Sequence, residues 1–149
     1  FLEKNKNSKI QVAISKKFKN INFGKIKFKK FEENLKKEKY FELIKNNSII
    51  ILPYDEKLYR YRTSGIFFES IQYNKLIFVT KNTWFSKELK KFKLNELVVN
   101  DWSEFNLDKK LTELQFIKVR NKLDLMKKKY LKFHNQHNFV KMLKKICEK

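Results

Sequence analysis

Residues 40–84 read YFELIKNNSIIILPYDEKLYRYRTSGIFFESIQYNKLIFVTKNTW. Two apolar runs stand in this stretch, Ser48–Pro53 (SIIILP) and Leu76–Thr80 (LIFVT). Short continuous runs of this kind are what strands covered on both faces of a parallel sheet require. Between them, Ser64–Tyr73 sets Ile66, Phe67, Ser70 and Ile71 in a short helix, with Thr63 or Ser64 in place to cap it. Strand, helix, strand in that order is a βαβ unit.

The alternation extends both ways. Upstream, the β-branched run Lys9–Ser15 reads as a strand, and Ile21–Phe28 alternates weakly. Glu32–Asn46 reads as a helix, with Leu35, Tyr40, Phe41, Leu43 and Ile44 near one face. Downstream come a helix over Trp84–Phe92, capped by Thr83 or Asn82, and a short strand over Glu96–Val99. Asp101-Trp102-Ser103 reads as a helix start capped by Ser103, with Phe105 packing behind it. From Leu107 on there is no strand signal. Leu111, Leu114, Ile117, Leu123, Met126, Tyr130 and Phe133 recur at helical spacing, and Asn138–Ile146 repeats the pattern.

The expected fold is α/β, a Rossmann-like parallel sheet with helices on both faces. Residues 1–102 are the α/β part of one domain and residues 103–149 its C-terminal helices. Phe1–Asn5 reads as a helix end, so the sheet's first strand is expected upstream, in a longer cytoplasmic polypeptide.

Composition narrows the chemistry. The chain has 149 residues and 36 Lys+Arg against 16 Asp+Glu, a formal charge of +20. With 42% hydrophobic residues it can build a core. No apolar run approaches the roughly 18–20 residues that span a bilayer. A lone cysteine, Cys147, excludes a disulfide framework and a Cys-cluster zinc site. His134 and His137 have no nearby carboxylate or thiolate to complete a metal site. Arginine appears only at positions 60, 62 and 120; the other cations are lysines, while Gly, Pro and Ala are scarce. That profile follows from codons rich in A and T, so most lysines read as a solvated face. The run Lys16–Lys30 interleaves cations with Phe18, Phe23 and Phe28. It could stack single-stranded nucleic acid; either it or the Lys127–Lys132 face could touch an anionic membrane. Aromatics turned inward with lysines outward is the commoner arrangement.

In doubly wound sheets, ligands bind beyond the carboxyl ends of the strands. This singles out the loops after Ser48–Pro53 and Leu76–Thr80. The first loop ends in Thr63-Ser64-Gly65, with free backbone N–H groups and two hydroxyls at the positive end of a helix. Arg60 and Arg62, two of three arginines in a lysine-rich chain, fit bidentate phosphate contact. A phosphate site and a plain surface cap flanked by ordinary charges both remain open on these grounds.

These residues resemble the C-terminal, nucleotide-sugar-binding domain of GT-B glycosyltransferases, of the group 1 or family 4-like kind. Such domains carry a strand ending in Pro, a small-residue turn, a Glu-Ala pair and a Gly-x-Pro-Val turn. Here Ser48–Tyr54 matches the strand, Ser64-Gly65 the small turn and Glu69-Ser70 the pair; Asn74-Lys75-Leu76-Ile77 stands at the last position. A bacterial subset is more similar still: Leu52-Pro53-Tyr54, Tyr59, Arg62, Ser64-Gly65, Glu69 and Thr83-Trp84 follow its pattern, and the helical tail Tyr130–Ile146 is also similar.

The resemblance implies a glycosyltransferase of polysaccharide biosynthesis. It would transfer a sugar from a UDP or GDP type donor to a glycan or lipid-linked acceptor. It implies that Glu69 hydrogen-bonds the donor ribose and that Ser64 and Gly65 offer amides to the diphosphate. Thr63, Arg62, Arg60, Tyr54 and Thr83 would line the site, and Trp84 would stack on the base or pack in the core. Many retaining members have a second glutamate eight residues before the first; Tyr61 stands there. Asn74 replaces the usual glycine, and Asn tolerates the left-handed conformation. Leu76 replaces proline. No metal or other cofactor is implied, and no DxD triplet is present. No catalytic residue falls on this chain; the general base would belong to a partner N-terminal domain, so this piece is expected to bind donor without catalysing alone. The location implied is cytoplasmic, in contact with the inner face of the membrane. The alternative is a basic module for nucleic acid or an acidic partner, which gives no use to Arg-x-Arg-Thr-Ser-Gly…Glu.

Overall fold

The structure, a computed structural model, describes residues 10–13, 28–31, 35–106 and 113–147. Two parallel strands, β1 (Ile10–Ala13) and β2 (Phe28–Phe31), pair with Ile10 opposite Phe28 and Ala13 opposite Phe31. A second parallel sheet holds β3 (Ile49–Leu52), β4 (Leu76–Thr80) and β5 (Val98–Val99), in the order β3-β4-β5. Five α-helices are described: α1 (Lys37–Asn46), α2 (Gly65–Gln72), α3 (Trp84–Lys91), α4 (Glu113–Phe133) and α5 (Gln136–Cys147). A 3-10 turn over Asn95–Leu97 leads into β5.

The fold is thus α/β with a small parallel sheet, as the alternation predicts. Four details differ from the sequence reading. The strands fall into two sheets, and among the described residues no pairing joins them. The strand expected over Glu96–Val99 is only Val98–Val99, behind the 3-10 turn; of the alternating run Ile21–Phe28, only Phe28 is among the described residues, in β2. Helix α1 starts at Lys37, leaving Leu35 and Lys36 outside it. Residues 101–103 open a turn, not a helix: the Asp101 carboxylate accepts from the Ser103 amide and hydroxyl, both at 2.7 Å, so Asp101 takes the capping role expected of Ser103. Phe105 is buried beside it, as expected. The helix end at Phe1–Asn5 and the run Lys16–Lys27 lie outside the described residues.

Strand β4 is the centre. Leu76, Ile77, Phe78 and Val79 are all buried, which is why this run is continuously apolar. Helices α2 and α3 both pack on β4. They bring Phe67 and Phe85 together, 5.2 Å between ring centroids, with Trp84 5.9 Å from Phe67. Helix α4 lies against α2 and sends Val119, Leu123 and Met126 into the core, one stripe at helical spacing. Arg120, next to that stripe, donates to the Asn74 carbonyl at 2.5 Å and fixes α4 to the end of α2.

Both central helices stop the same way. After α2, the Asn74 amide bonds the Ile71 carbonyl and the Lys75 amide the Ser70 carbonyl; after α3, Lys93 bonds Lys90 and Leu94 bonds Leu89. These are Schellman stops, which place one residue in the left-handed region. Asn74 (φ 54°) and Lys93 (φ 56°) fill the position where glycine is usual. The left-handed turn expected at Asn74 is therefore present.

Candidate functional site

The two loops at the carboxyl ends of β3 and β4 are tied together. Asp55 closes a turn, its side chain accepting from the Leu58 amide at 2.8 Å and its carbonyl from Tyr59 at 3.0 Å. The Tyr59 carbonyl accepts from the Trp84 amide at 2.8 Å, and Glu56 accepts from the Asn82 side chain at 2.8 Å. Tyr54 stacks on Tyr59, with 4.2 Å between centroids and 18° between planes, and both rings rest near Phe85. A long polar loop is thereby anchored by its own aromatic residues. Its far end delivers Thr63 and Ser64 to the start of α2.

The two helices that begin at this edge are capped differently. On α3, Thr83 is buried, donates to the Thr80 carbonyl at 2.7 Å and accepts from the Ser86 amide at 3.3 Å. Its hydroxyl is spent on the cap, donating to one side and accepting on the other. On α2, Ser64 holds the cap position but its side chain makes no cap hydrogen bond. Thr63 and Gly65 are exposed, and Ser64 is half-buried. The first amides of α2 are thus presented to solvent without a side-chain acceptor from the cap.

Glu69 sits one turn later. Tyr40, on α1, donates its hydroxyl to Glu69 Oε2. Burial, then the hydrogen bond and charge of Glu69, push the Tyr40 phenol well above its ordinary pKa, so it stays a donor throughout the neutral range. The other carboxylate oxygen, Oε1, lies 3.9 Å from where a Cβ on Gly65 would sit. One oxygen is therefore held and the other is turned to the open first turn of α2. Sequence reading missed Tyr40 as a partner, because 29 residues separate it from Glu69 and it counted as part of an apolar face.

Arg60 and Arg62 are both exposed on the same loop. Arg60 lies over the Tyr61 ring at 5.6 Å, and Lys87 approaches that ring at 5.0 Å. Arg62 makes no hydrogen bond or ion pair among the described residues. Trp84, half-buried, touches Phe67, Phe68 and Phe85 and is a packing residue here. His134 packs on Phe68 and Tyr130. Among the described residues, no group of three His, Cys, Asp or Glu side chains could hold a metal ion.

A second carboxylate–phenol pair escaped the sequence reading altogether. Glu88, buried on α3, accepts from Tyr130 at 2.7 Å and pairs with Lys91 at 2.5 Å. Burial and Glu88 push the Tyr130 phenol up. This pair joins α3 to α4 and reads as structural. Two cavities are also present. One is lined by Phe68, Ile71, Gln72, Lys127, Tyr130, Leu131 and His134; the other lies where α4 meets α5.

Comparison with protein-family models, with curated proteins and with solved structures finds no match.

Proposed function

We propose that this chain is the donor-binding part of a glycosyltransferase, and that the edge formed by residues 54–69 holds a nucleoside-diphosphate sugar. The observation that carries the reading is the pairing of an open helix N-terminus with Glu69 aimed at it. The amides of Ser64, Gly65 and Ile66 suit a diphosphate. Glu69, anchored by Tyr40 through one oxygen, offers the other to a ribose hydroxyl, the acceptor role a carboxylate fills. Arg62 and Arg60, on the same loop, would meet the charge that grows on the departing diphosphate. Fixed amides and guanidinium groups can stabilise such charge without a metal ion.

Gly65 supports this reading separately. The chain has two glycines. Gly65 is helical, lies outside the left-handed region, and has room for a Cβ in ordinary contact. The fold does not demand a glycine there; close approach of a ligand to the backbone would account for one.

The test is a calorimetric titration with UDP, GDP and CMP at moderate salt, on wild type and Glu69→Ala. Saturable binding of one nucleotide, weakened by the substitution, is expected. Absence of any nucleotide response, together with salt-sensitive binding to single-stranded RNA that Glu69→Ala leaves unchanged, would instead favour the basic module.

A further inference from the structure

The C-terminal helix has a face that nothing described covers. Along α5, Phe139, Leu143 and Ile146 fall at i, i+4 and i+7 on one stripe, with Met142 beside it. Phe139 is 58% exposed and Ile146 69%. The strip runs on into the end of α4 through Leu131 and Phe133, also exposed. Between the two helices lies a groove of about 640 Å³ lined by Phe133, His134, Phe139 and Met142. A contiguous apolar surface of this kind marks an interaction site, since monomeric surfaces rarely carry one.

Charge decides among occupants. No Asp or Glu occurs between Asp124 and Glu148, while lysine recurs at 127, 128, 129, 132, 141, 144 and 145. Lys141 and Lys144 lie on the flank of α5 opposite the Phe139–Ile146 stripe, and both are exposed. A second copy of this chain would set one lysine-rich helix against another, each on a body of formal charge +20. An anionic bilayer offers both things this helix lacks: an apolar layer for one face and negative headgroups for the lysines. At 12 residues α5 is too short to span, and no described helix is long and apolar enough to cross a membrane. We infer that α5, with the end of α4, is a surface anchor that lies in the headgroup layer of an anionic membrane. This inference is independent of the donor-site reading, because none of its residues belongs to that site.

The test is co-sedimentation of the 149-residue chain with phosphatidylcholine vesicles, with and without phosphatidylglycerol. Binding only to the vesicles with phosphatidylglycerol is expected. Phe139→Ser with Ile146→Ser should weaken it by at least about tenfold. Lys141→Ala with Lys144→Ala should weaken it about twenty- to thirtyfold. Because both pairs are exposed, the circular dichroism spectrum should not change; should the serine pair unfold the chain, the lysine pair alone decides. Three results would overturn the inference: no vesicle binding, binding that the intact-fold serine pair leaves unchanged, or a dimer in light scattering that the serine pair dissolves.

Discussion

Gly65→Ala separates a ligand-driven glycine from a structural one. At Gly65 a new Cβ meets the Glu69 carboxylate at 3.9 Å and no other atom closer, an ordinary contact. The residue is the first of α2 and its backbone is helical. Alanine there loses less chain entropy on folding, so stability should rise by about 0.5–1 kcal/mol, toward the low end at a helix start. For a chain of this size that is a gain of roughly 1–4 °C in Tm. Binding should move the other way. A methyl group at this point stands between the first amides of α2 and any phosphate that rests on them. Losing one charge-assisted hydrogen bond costs about 1.5–3 kcal/mol, or roughly ten- to hundredfold in Kd.

The assay is paired: thermal unfolding for stability and calorimetric titration with the nucleotide that binds wild type. A gain in Tm with a loss of affinity is the expected result. If Tm falls by several degrees, Gly65 serves the fold and no longer speaks for a ligand. If affinity is unchanged, the phosphates do not rest on α2, and the placement of the donor is wrong even where a nucleotide binds.

Glu69→Gln keeps an acceptor for Tyr40 but removes the charge. Nucleotide affinity should fall about tenfold while stability changes by less than about 1 kcal/mol, as titration and urea unfolding would report. Lys93→Gly relieves a left-handed residue at φ 56° and should stabilise by about 1 kcal/mol in urea unfolding; a loss would contradict the Schellman assignment. The phenols of Tyr40 and Tyr130 are both raised in the fold. In the unfolded chain they lose protons near pH 10, so above that pH the unfolded state binds fewer protons than the native one. Their influence on stability is therefore flat at neutral pH and destabilising above about pH 10, by up to ~1.4 kcal/mol per pH unit for each. Tyr130→Phe should lower stability at neutral pH, by removing the donor to the Oε2 of buried Glu88 and leaving it only the Lys91 pair, yet flatten the decline between about pH 10 and pH 11.

The elements legible in the sequence are those whose signal is local. The apolar runs at Ile49–Leu52 and Leu76–Thr80 are parallel strands as their composition suggested, β4 buried and β3 half-buried, and of the two candidate caps for α3 it is Thr83 that serves. The loop edge was legible too, because βα order alone puts residues 54–64 at the carboxyl end of β3. The missed features are long-range or compete with a second local signal. Tyr40 with Glu69 and Tyr130 with Glu88 are pairs 29 and 42 residues apart, and no periodicity announces a phenol that reaches across helices. At Asp101-Trp102-Ser103, the Asp101 carboxylate takes both the amide and the hydroxyl of Ser103, so the hydroxyl expected to cap a helix donates within a turn instead. Helix α5 was legible as a helix from its spacing, and its Phe139, Leu143 and Ile146 stay exposed.

The charge argues for the same site over a general basic surface. A nucleic-acid module would be expected to leave its cations and aromatics outward together. Here the lysines with described partners serve local ends on separate elements. Lys39 pairs with Glu42 within α1, and Lys91 with Glu88 within α3. Lys75 covers the Lys45 carbonyl, and Lys122 covers the Lys93 carbonyl and pairs with Glu96. Of the aromatics near the loop edge, Phe67, Phe78, Phe85 and Phe105 are buried, and Tyr54 and Tyr59 stack on each other against Phe85, while Tyr61 stays exposed with Arg60 and Lys87 over its ring. Lysine thus does what any cation would do, on whichever face it falls, as expected of a residue supplied by composition. Arginine does not follow that pattern. One of the three, Arg120, is fixed to the Asn74 carbonyl, and the other two stand exposed on the loop that leads to α2, whose cap residue makes no side-chain hydrogen bond. An attraction of the whole chain for polyanions should fade as salt rises, since it rests on exposed charges. Recognition by Arg60, Arg62, the α2 amides and Glu69 should survive in larger part, because it adds fixed hydrogen bonds to charge. A nucleotide affinity that fell with salt as steeply as binding to a random polyanion would return the loop to the bland reading of a surface cap.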